Sequence, residues 1–404
     1  MTNRVAWTPN RMKKAKGVST ALFGTEEVSK ARDFHRSFPE CKETPLHSLA
    51  ALANSLGIAG LFVKDESFRF GLKAFKVLGA SYAVARHLSK RLGIDISHLD
   101  SAKLASPETR KKIGDVTFVT ATDGNHGRGV AWVARQLGQR AVVYMPKGTS
   151  PTRLENIRAE GANASIIEGN YDDAVRLSAQ GAREHGWVVV QDTAWQGYEE
   201  IPTWIMQGYG TIAAEAIEQL CRIGIEKPTH VFLQAGVGSF AAAIQGYFAD
   251  LLGSERPVTA IVESEQADCL YRSVIANDGK PRIVAGEMTT IMAGLACGEP
   301  NPLAWELLRD YSDAFFSCPD WVAAKGMRML GNPLKDDPRV VSGESGAVTT
   351  GLVAALMKND DLEDARAGLG LDRNSRVLLI STEGDTDPMR YRSIVWDGEY
   401  PSYK

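Results

Sequence analysis

A lysine stands at the head of a helical run in the stretch Gly71–Ser81, GLKAFKVLGAS. A strand-like segment, Leu61–Val63, and the polar run KDESFRFG precede it, and the helical pattern extends from Phe75 to Leu88. Lys76 has an apolar neighbour, Phe75, and a glycine three residues on, Gly79. Removing water from around an amine disfavours its charged form. An uncharged lysine amine can attack a carbonyl and form a Schiff base. Lys64 and Lys73 are close enough in sequence to be rivals for that role.

Three further stretches have the residue types to work with such a lysine. ATDGNHGRG (Ala121–Gly129) follows the apolar run Val116–Val119, QAGVGSF (Gln234–Phe240) follows Val231–Leu233, and LLISTEGD (Leu378–Asp385) is a strand ending in hydroxyls and a glycine. Each is a strand running into small or polar residues, and open α/β sheets bind ligands at the carboxyl ends of their strands. Gly236, Val237, Gly238 and Ser239 lie between a strand and a helix. Backbone N–H groups there make a cradle for a phosphate, although a plain glycine turn has the same letters. Asp123 precedes a glycine, which is also ordinary turn chemistry. Asp192, in QDTAWQGYEE, is a second carboxylate after a strand, and an N-cap or turn would explain it equally well.

These motifs, in this order, resemble those of the fold-type II pyridoxal-phosphate enzymes, the family of serine and threonine dehydratases and cysteine synthase. The resemblance runs from ETPLHSL (Glu43–Leu49) to STEGDTDP (Ser381–Pro388). It implies an α/β fold of the tryptophan synthase β-like kind, two open α/β domains with the cofactor in the cleft between them. It further implies that Lys76 carries pyridoxal 5'-phosphate, that Asn125 meets the ring hydroxyl and that Gly236–Ser239 hold the phosphate. Thr382, with Ser381 as rival, would meet the pyridine nitrogen. A hydroxyl there makes the ring a milder electron sink than a carboxylate would. Ala74 and Leu78 depart from the family's usual serine and arginine, and the Phe-Lys-x-x-Gly frame is what favours Lys76 over Lys73.

Within the family the chain is most similar to enzymes that eliminate ammonia from 2,3-diaminopropionate, of either isomer, to give pyruvate. A serine or threonine dehydratase is the alternative. Asp123 discriminates, because the dehydratases usually carry a small residue there. The resemblance gives Lys76, Asp123 and Asp192 the catalytic roles. Asp123 would pair with a β-ammonium or take the α-proton from one face. A silent cofactor-binding protein is the reading from a different class. Cys269 and Cys297 fall in segments that line the site in relatives, as two thiols or as a regulatory pair.

Composition bounds the rest. At 404 residues the chain exceeds one ordinary core, so two domains are expected. The order of elements assigns 1–79 and 196–404 to a larger domain and 80–195 to a smaller one with a parallel sheet. Hydrophobic residues are 44% and charged residues 24%, as in ordinary globular enzymes. A net charge of −3 gives no basic field for nucleic acid, and no apolar run reaches membrane-spanning length. The N-terminus is basic without an apolar core, which argues against a secretory leader. Five scattered cysteines without a CxxC or HExxH pattern argue for a reducing cytoplasm and against a zinc site. Residues 1–40, polar and without clear period, are expected to wrap the surface or a second copy in a homodimer, or to form a partly ordered arm.

Overall fold

The structure is a computed structural model and describes residues 4–402. In chain order its strands are β1 (Ala6–Pro9), β2 (Leu46–Ser48), β3 (Gly60–Asp65), β4 (Thr117–Ala121), β5 (Arg140–Met145), β6 (Asn163–Ile166), β7 (Val188–Val189), β8 (His230–Gln234), β9 (Val258–Ser264), β10 (Ala314–Cys318) and β11 (Arg376–Ser381). The chain forms two compact units. The first is Met1–Gly24, Thr44–Phe68 and Ile212–Lys404, and the second is Thr25–Glu43 and Arg69–Thr211. Thus 69–79 and 196–211 pack in the second unit, as do 25–43.

The first unit holds a seven-stranded sheet in the order β1-β10-β9-β8-β11-β3-β2. Its five central strands run parallel, and β1 and β2 close the edges antiparallel. The central strands are buried along almost their whole length. That is the continuous apolar run required of a sheet covered on both faces. The helices Asp320–Gly331 and Glu344–Lys358 pack against each other at glycines. A Cβ on Gly326 would lie 2.0 Å from the Ala347 carbonyl oxygen, and one on Gly351 would lie 1.9 Å from that of Val322.

The second unit holds an all-parallel sheet, β6-β5-β4-β7. The helix Lys76–Leu92 is buried over most of its first three turns. It meets the helix Glu200–Arg222 where neither has a side chain to spare. A Cβ on Gly79 would fall 2.6 Å from atoms of both Ile205 and Tyr209, and one on Gly208 would fall 2.4 Å from the Leu78 carbonyl oxygen. Residues 25–36 form a helix that buries Val28, Ala31, Phe34 and His35. The His35 ring spans from Thr211 Oγ1 at 3.1 Å to the Leu78 carbonyl at 2.9 Å. Phe38, Phe70 and Trp132 then pack as a cluster, with ring centroids 5.0 to 5.9 Å apart.

Several local expectations need correction. The first forty residues supply strand β1, paired with β10, and a packed helix rather than a surface wrap. Ser48, whose hydroxyl just before the helical run Leu49–Leu56 reads as an N-cap, does not cap the helix Ala50–Leu56. Asp337, far along the chain, does so by accepting from the Ala51 and Leu52 N–H groups at 2.8 Å each. In the polar stretch 91–112 the helix start expected at Ser106-Pro107-Glu108 is found: two short helices form, and Ser106 opens the second by accepting from the Thr109 N–H.

The glycine contacts generate a test. Alanine in an exposed helix interior is about 1 kcal/mol better than glycine. At Gly208 the new methyl meets backbone, and overpacking of that kind costs typically ~1–3 kcal/mol. Gly208→Ala and Gly79→Ala should therefore lower the thermal unfolding midpoint. An unchanged or higher midpoint would show that the two helices do not touch there.

Candidate active site

Lys76 opens its helix, and its Nζ donates to Asp192 Oδ2 in a short contact. The side chains of Lys76 and Asp192 are 20% and 9% exposed, so the pair is shielded from solvent. The ammonium also lies 5.4 Å from the Phe75 ring centroid and 5.8 Å from that of Tyr209. Two aromatic faces beside one cation give modest further stabilisation. Burial alone would raise the Asp192 carboxyl, but Lys76 and the His126 ring hold it down to about 2. Burial keeps the His126 ring below its ordinary value, against the pull of Asp192. His126 Nε2 lies 2.8 Å from the Val190 carbonyl, which fixes the proton on that nitrogen and leaves buried Nδ1 without a partner among the described residues.

Asp192 is held by its own loop. Tyr198 Oη donates to the Val189 carbonyl at 2.9 Å and accepts from the Gln191 N–H at 2.8 Å. Trp195 stacks on Tyr198 with centroids 4.1 Å apart. Asp123 sits two residues past the end of β4, and Asp192 three past the end of β7, the parallel neighbour of β4. Both carboxylates thus come from the same end of one sheet. Asp123 is about a third exposed and lies 3.5 Å from Arg153. The intervening letters have local reasons. Thr122 Oγ1 accepts from the Gly124 and Gly127 N–H groups, and a Cβ on Gly127 would strike Thr122 at 2.4 Å. Gly124 has φ +154, which disfavours any other residue. Asn125 then begins the helix Asn125–Gln136, half-buried.

The first unit carries the other candidates. Gly236–Ser239 turn from β8 into the helix Ser239–Leu252, whose N-cap, Gly238, has φ +95 and gives no side-chain cap. A Cβ on Gly238 would meet Leu308 at 3.2 Å and Ala304 at 3.3 Å. Asn301 ties the turn down from both sides. Its N–H donates to the Val237 carbonyl, and its Nδ2 donates to Ser239 Oγ, each at 2.8 Å. At the end of β11, Thr382 Oγ1 donates to Glu383 Oε2 at 2.7 Å and accepts from Gln234 Nε2 at 2.9 Å. Ser381, the rival, faces Ser342 Oγ at 2.9 Å instead.

The rival lysines are occupied differently. Lys64 is fully buried and donates to the Thr44 carbonyl, Glu215 and Gln219 at 2.6 to 2.9 Å. Lys73 is exposed, with φ +59. The donor set fits pyridoxal phosphate within each unit: a shielded amine beside aromatic rings in one, and an uncapped helix N-terminus reached by a glycine turn in the other. The positive end of a helix suits a phosphate dianion. Sequence reasoning missed Tyr209, Asn301, Gln234 and Glu383. Only Tyr209 left a signal, in the unusual GYG inside a helical run.

Comparison with known proteins agrees with this chemistry. The family model described as "Pyridoxal-phosphate dependent enzyme" matches residues 38–382. A diaminopropionate ammonia-lyase of Salmonella typhimurium is 53% identical over 389 residues, 96% of each chain. Crystal structures of the Escherichia coli diaminopropionate ammonia lyase superpose with TM-scores of 0.92, in complex with D-serine, and 0.91, in complex with an aminoacrylate-PLP azomethine reaction intermediate. Both are 48% identical, covering 98% and 99% of this chain and 98% of theirs. A threonine dehydratase of Corynebacterium glutamicum is 27% identical over 87% of this chain and 69% of its own.

The Asp192 carboxyl yields a pH prediction. A depressed carboxyl pKa adds stability above the ordinary value and loses it as pH falls through the folded-state value. In the cofactor-free protein, Asp192→Asn should lower the thermal midpoint at neutral pH, by the equivalent of roughly 2 kcal/mol. The gap should narrow between about pH 4 and about pH 2. A gap that does not change with pH would mean that the charge of Asp192 contributes nothing.

Proposed function

The chain belongs to the pyridoxal-phosphate dependent enzyme family, and from that premise we infer that it catalyses the α,β-elimination of 2,3-diaminopropionate to pyruvate and ammonia. The observation that carries the reading is the acid pair, Asp123 and Asp192, brought to one end of the sheet beside Lys76. Two carboxylates suit a substrate with two amines better than one with a hydroxyl. Near-full-length similarity to diaminopropionate ammonia-lyases, against 27% identity to a threonine dehydratase, supports the same choice.

Pyridoxal phosphate, when bound, supplies the electron sink for the electron pair left at Cα. Lys76 Nζ is the group to hold it, Gly236–Ser239 the turn to take its phosphate, Asn125 the amide for its ring hydroxyl and Thr382 the hydroxyl for its nitrogen. When Lys76 is released, its amine is a base for the α-proton. Asp192 remains ionised at neutral pH, so it stabilises the proton that Nζ takes up. Expulsion of the β-amine breaks the Cβ–N bond with the electron pair leaving on nitrogen, and that nitrogen leaves far better protonated. Asp123 either keeps the β-nitrogen as an ammonium or serves as base on the face that Lys76 does not reach. Water then releases the α-nitrogen as a second ammonia and leaves pyruvate. A homodimer in a reducing cytoplasm completes the proposal, in keeping with the scattered cysteines.

Pyruvate release measured over both isomers of diaminopropionate, serine and threonine tests the reading. Diaminopropionate should be preferred, and a preference for serine or threonine would return the chain to the dehydratases. Lys76→Ala should lose turnover, and borohydride trapping should label Lys76. A label on Lys73 or Lys64 would reassign the lysine.

Asp123→Asn separates its two roles. A well-placed base contributes roughly 10²–10⁴-fold. As a base, its loss should cost one isomer at least ~100-fold and spare the other. The isomer expected to fail is D-diaminopropionate. As a holder of the β-ammonium, its loss should weaken both isomers alike, chiefly through KM.

A further inference from the structure

In the first unit, an open cavity of about 220 Å³ lies among the helices Ala50–Leu56, Asp320–Gly331 and Glu344–Lys358 and the turn after Gly331. Leu49, Leu52, Leu56 and Leu330 line it and are buried. The same lining carries two cations, Lys325, half-buried, and Lys358, exposed. Among the described residues neither side chain makes a hydrogen bond or an ion pair. The Lys325 Nζ has only the Trp321 ring, 6.0 Å away. A shielded ammonium without a counter-ion is costly. Burial accordingly pushes Lys325 below its ordinary value. The one carboxylate in the lining, Asp337, does not serve as counter-ion. Both its oxygens accept from backbone N–H groups of Ala51 and Leu52.

An apolar wall beside two uncompensated cations is complementary to one kind of molecule. We propose that this cavity binds a small aliphatic monocarboxylate, its chain against the leucines and its carboxylate between Lys325 and Lys358. The volume sets the size. It lies below the ~300–1,000 Å³ of drug-sized pockets, so it takes a fragment rather than a drug-sized molecule. A ligand of about six to nine non-hydrogen atoms is the match. The site is separate from the residues at the end of β11. Ala354 lines the cavity, and at ~1.5 Å per residue it lies roughly 12 Å along its helix from Gly346, whose N–H donates to Glu383.

The probe is hexanoate, titrated into the cofactor-loaded enzyme by calorimetry. Propanoate, butanoate and hexanoate should bind progressively tighter, by roughly fourfold per methylene. Hexylammonium should not bind, and hexanol should bind at least ~10-fold more weakly than hexanoate. Lys325→Gln should weaken hexanoate ~10-fold or more and leave pyruvate release intact, since Lys325 belongs to no part of the catalytic machinery. Methyl NMR gives a second measure on the parent protein, because the Met329 side chain also lines the cavity. Its methyl resonance, identified with Met329→Leu, should shift with hexanoate and not with hexylammonium. Hexanol binding as tightly as hexanoate, a silent Met329 methyl, or Lys325→Gln leaving affinity unchanged would each overturn the proposal.

Discussion

The contact between Lys76 and Asp192 is the constraint from which the second unit can be read. Taking an ammonium and a carboxylate out of water costs several kcal/mol per ion, and the pair is tolerable only when both are held in register. Each partner is held by something else. The helix start that bears Lys76 is pinned because Gly79 and Gly208 let two backbones approach to contact. The loop that bears Asp192 is pinned because Tyr198 reaches back to Val189 and Gln191. The parallel pairing of β4 with β7 then brings Asp123 to the same end of the sheet. Loosening any of these leaves one buried charge without its partner.

Lys64 shows why burial alone does not make a reactive amine. It lies twelve residues before Lys76, on the strand β3, and is completely buried. Three acceptors surround it: Thr44, Glu215 and Gln219. An ammonium has three protons, so all are committed. Such a lysine is held as a cation for structural ends. Lys76 keeps part of its surface open and meets one carboxylate across a short contact. That arrangement can hold a proton and also release it.

Legibility in the sequence follows the range of the interaction. The alternation of strands and helices from Val116 onward could be read because each element carries its own pattern. The motifs around Lys76, Asn125 and Gly238 could be read because a positive φ or a close approach demands glycine locally. Strand β1 could not, since three half-exposed residues and one exposed residue gain their structure from pairing with β10, more than three hundred residues on. The cap on Ala50–Leu56 was invisible for the same reason: Ser48 has the right chemistry nearby, and Asp337 has the right position from afar. Asn301 and Glu383 are ordinary letters in polar stretches until the fold sets them against Ser239 and Thr382.

The last of these pairs changes what one residue can do. Read from sequence, a threonine hydroxyl is a weak partner for a ring nitrogen. In the fold Thr382 gives its proton to Glu383 and accepts from Gln234. A hydroxyl has one proton and two lone pairs, so a single lone pair is left. Whatever meets Thr382 there must donate. On the proposed assignment, that favours a ring nitrogen carrying its proton, with the Glu383 carboxyl one hydrogen bond removed. Such a relay holds the proton more firmly than a bare hydroxyl and less firmly than a carboxylate in direct contact. The middle course suits elimination of an amine. The Cα–H must be acidic enough to lose its proton, and the electron pair must then return to break the Cβ–N bond.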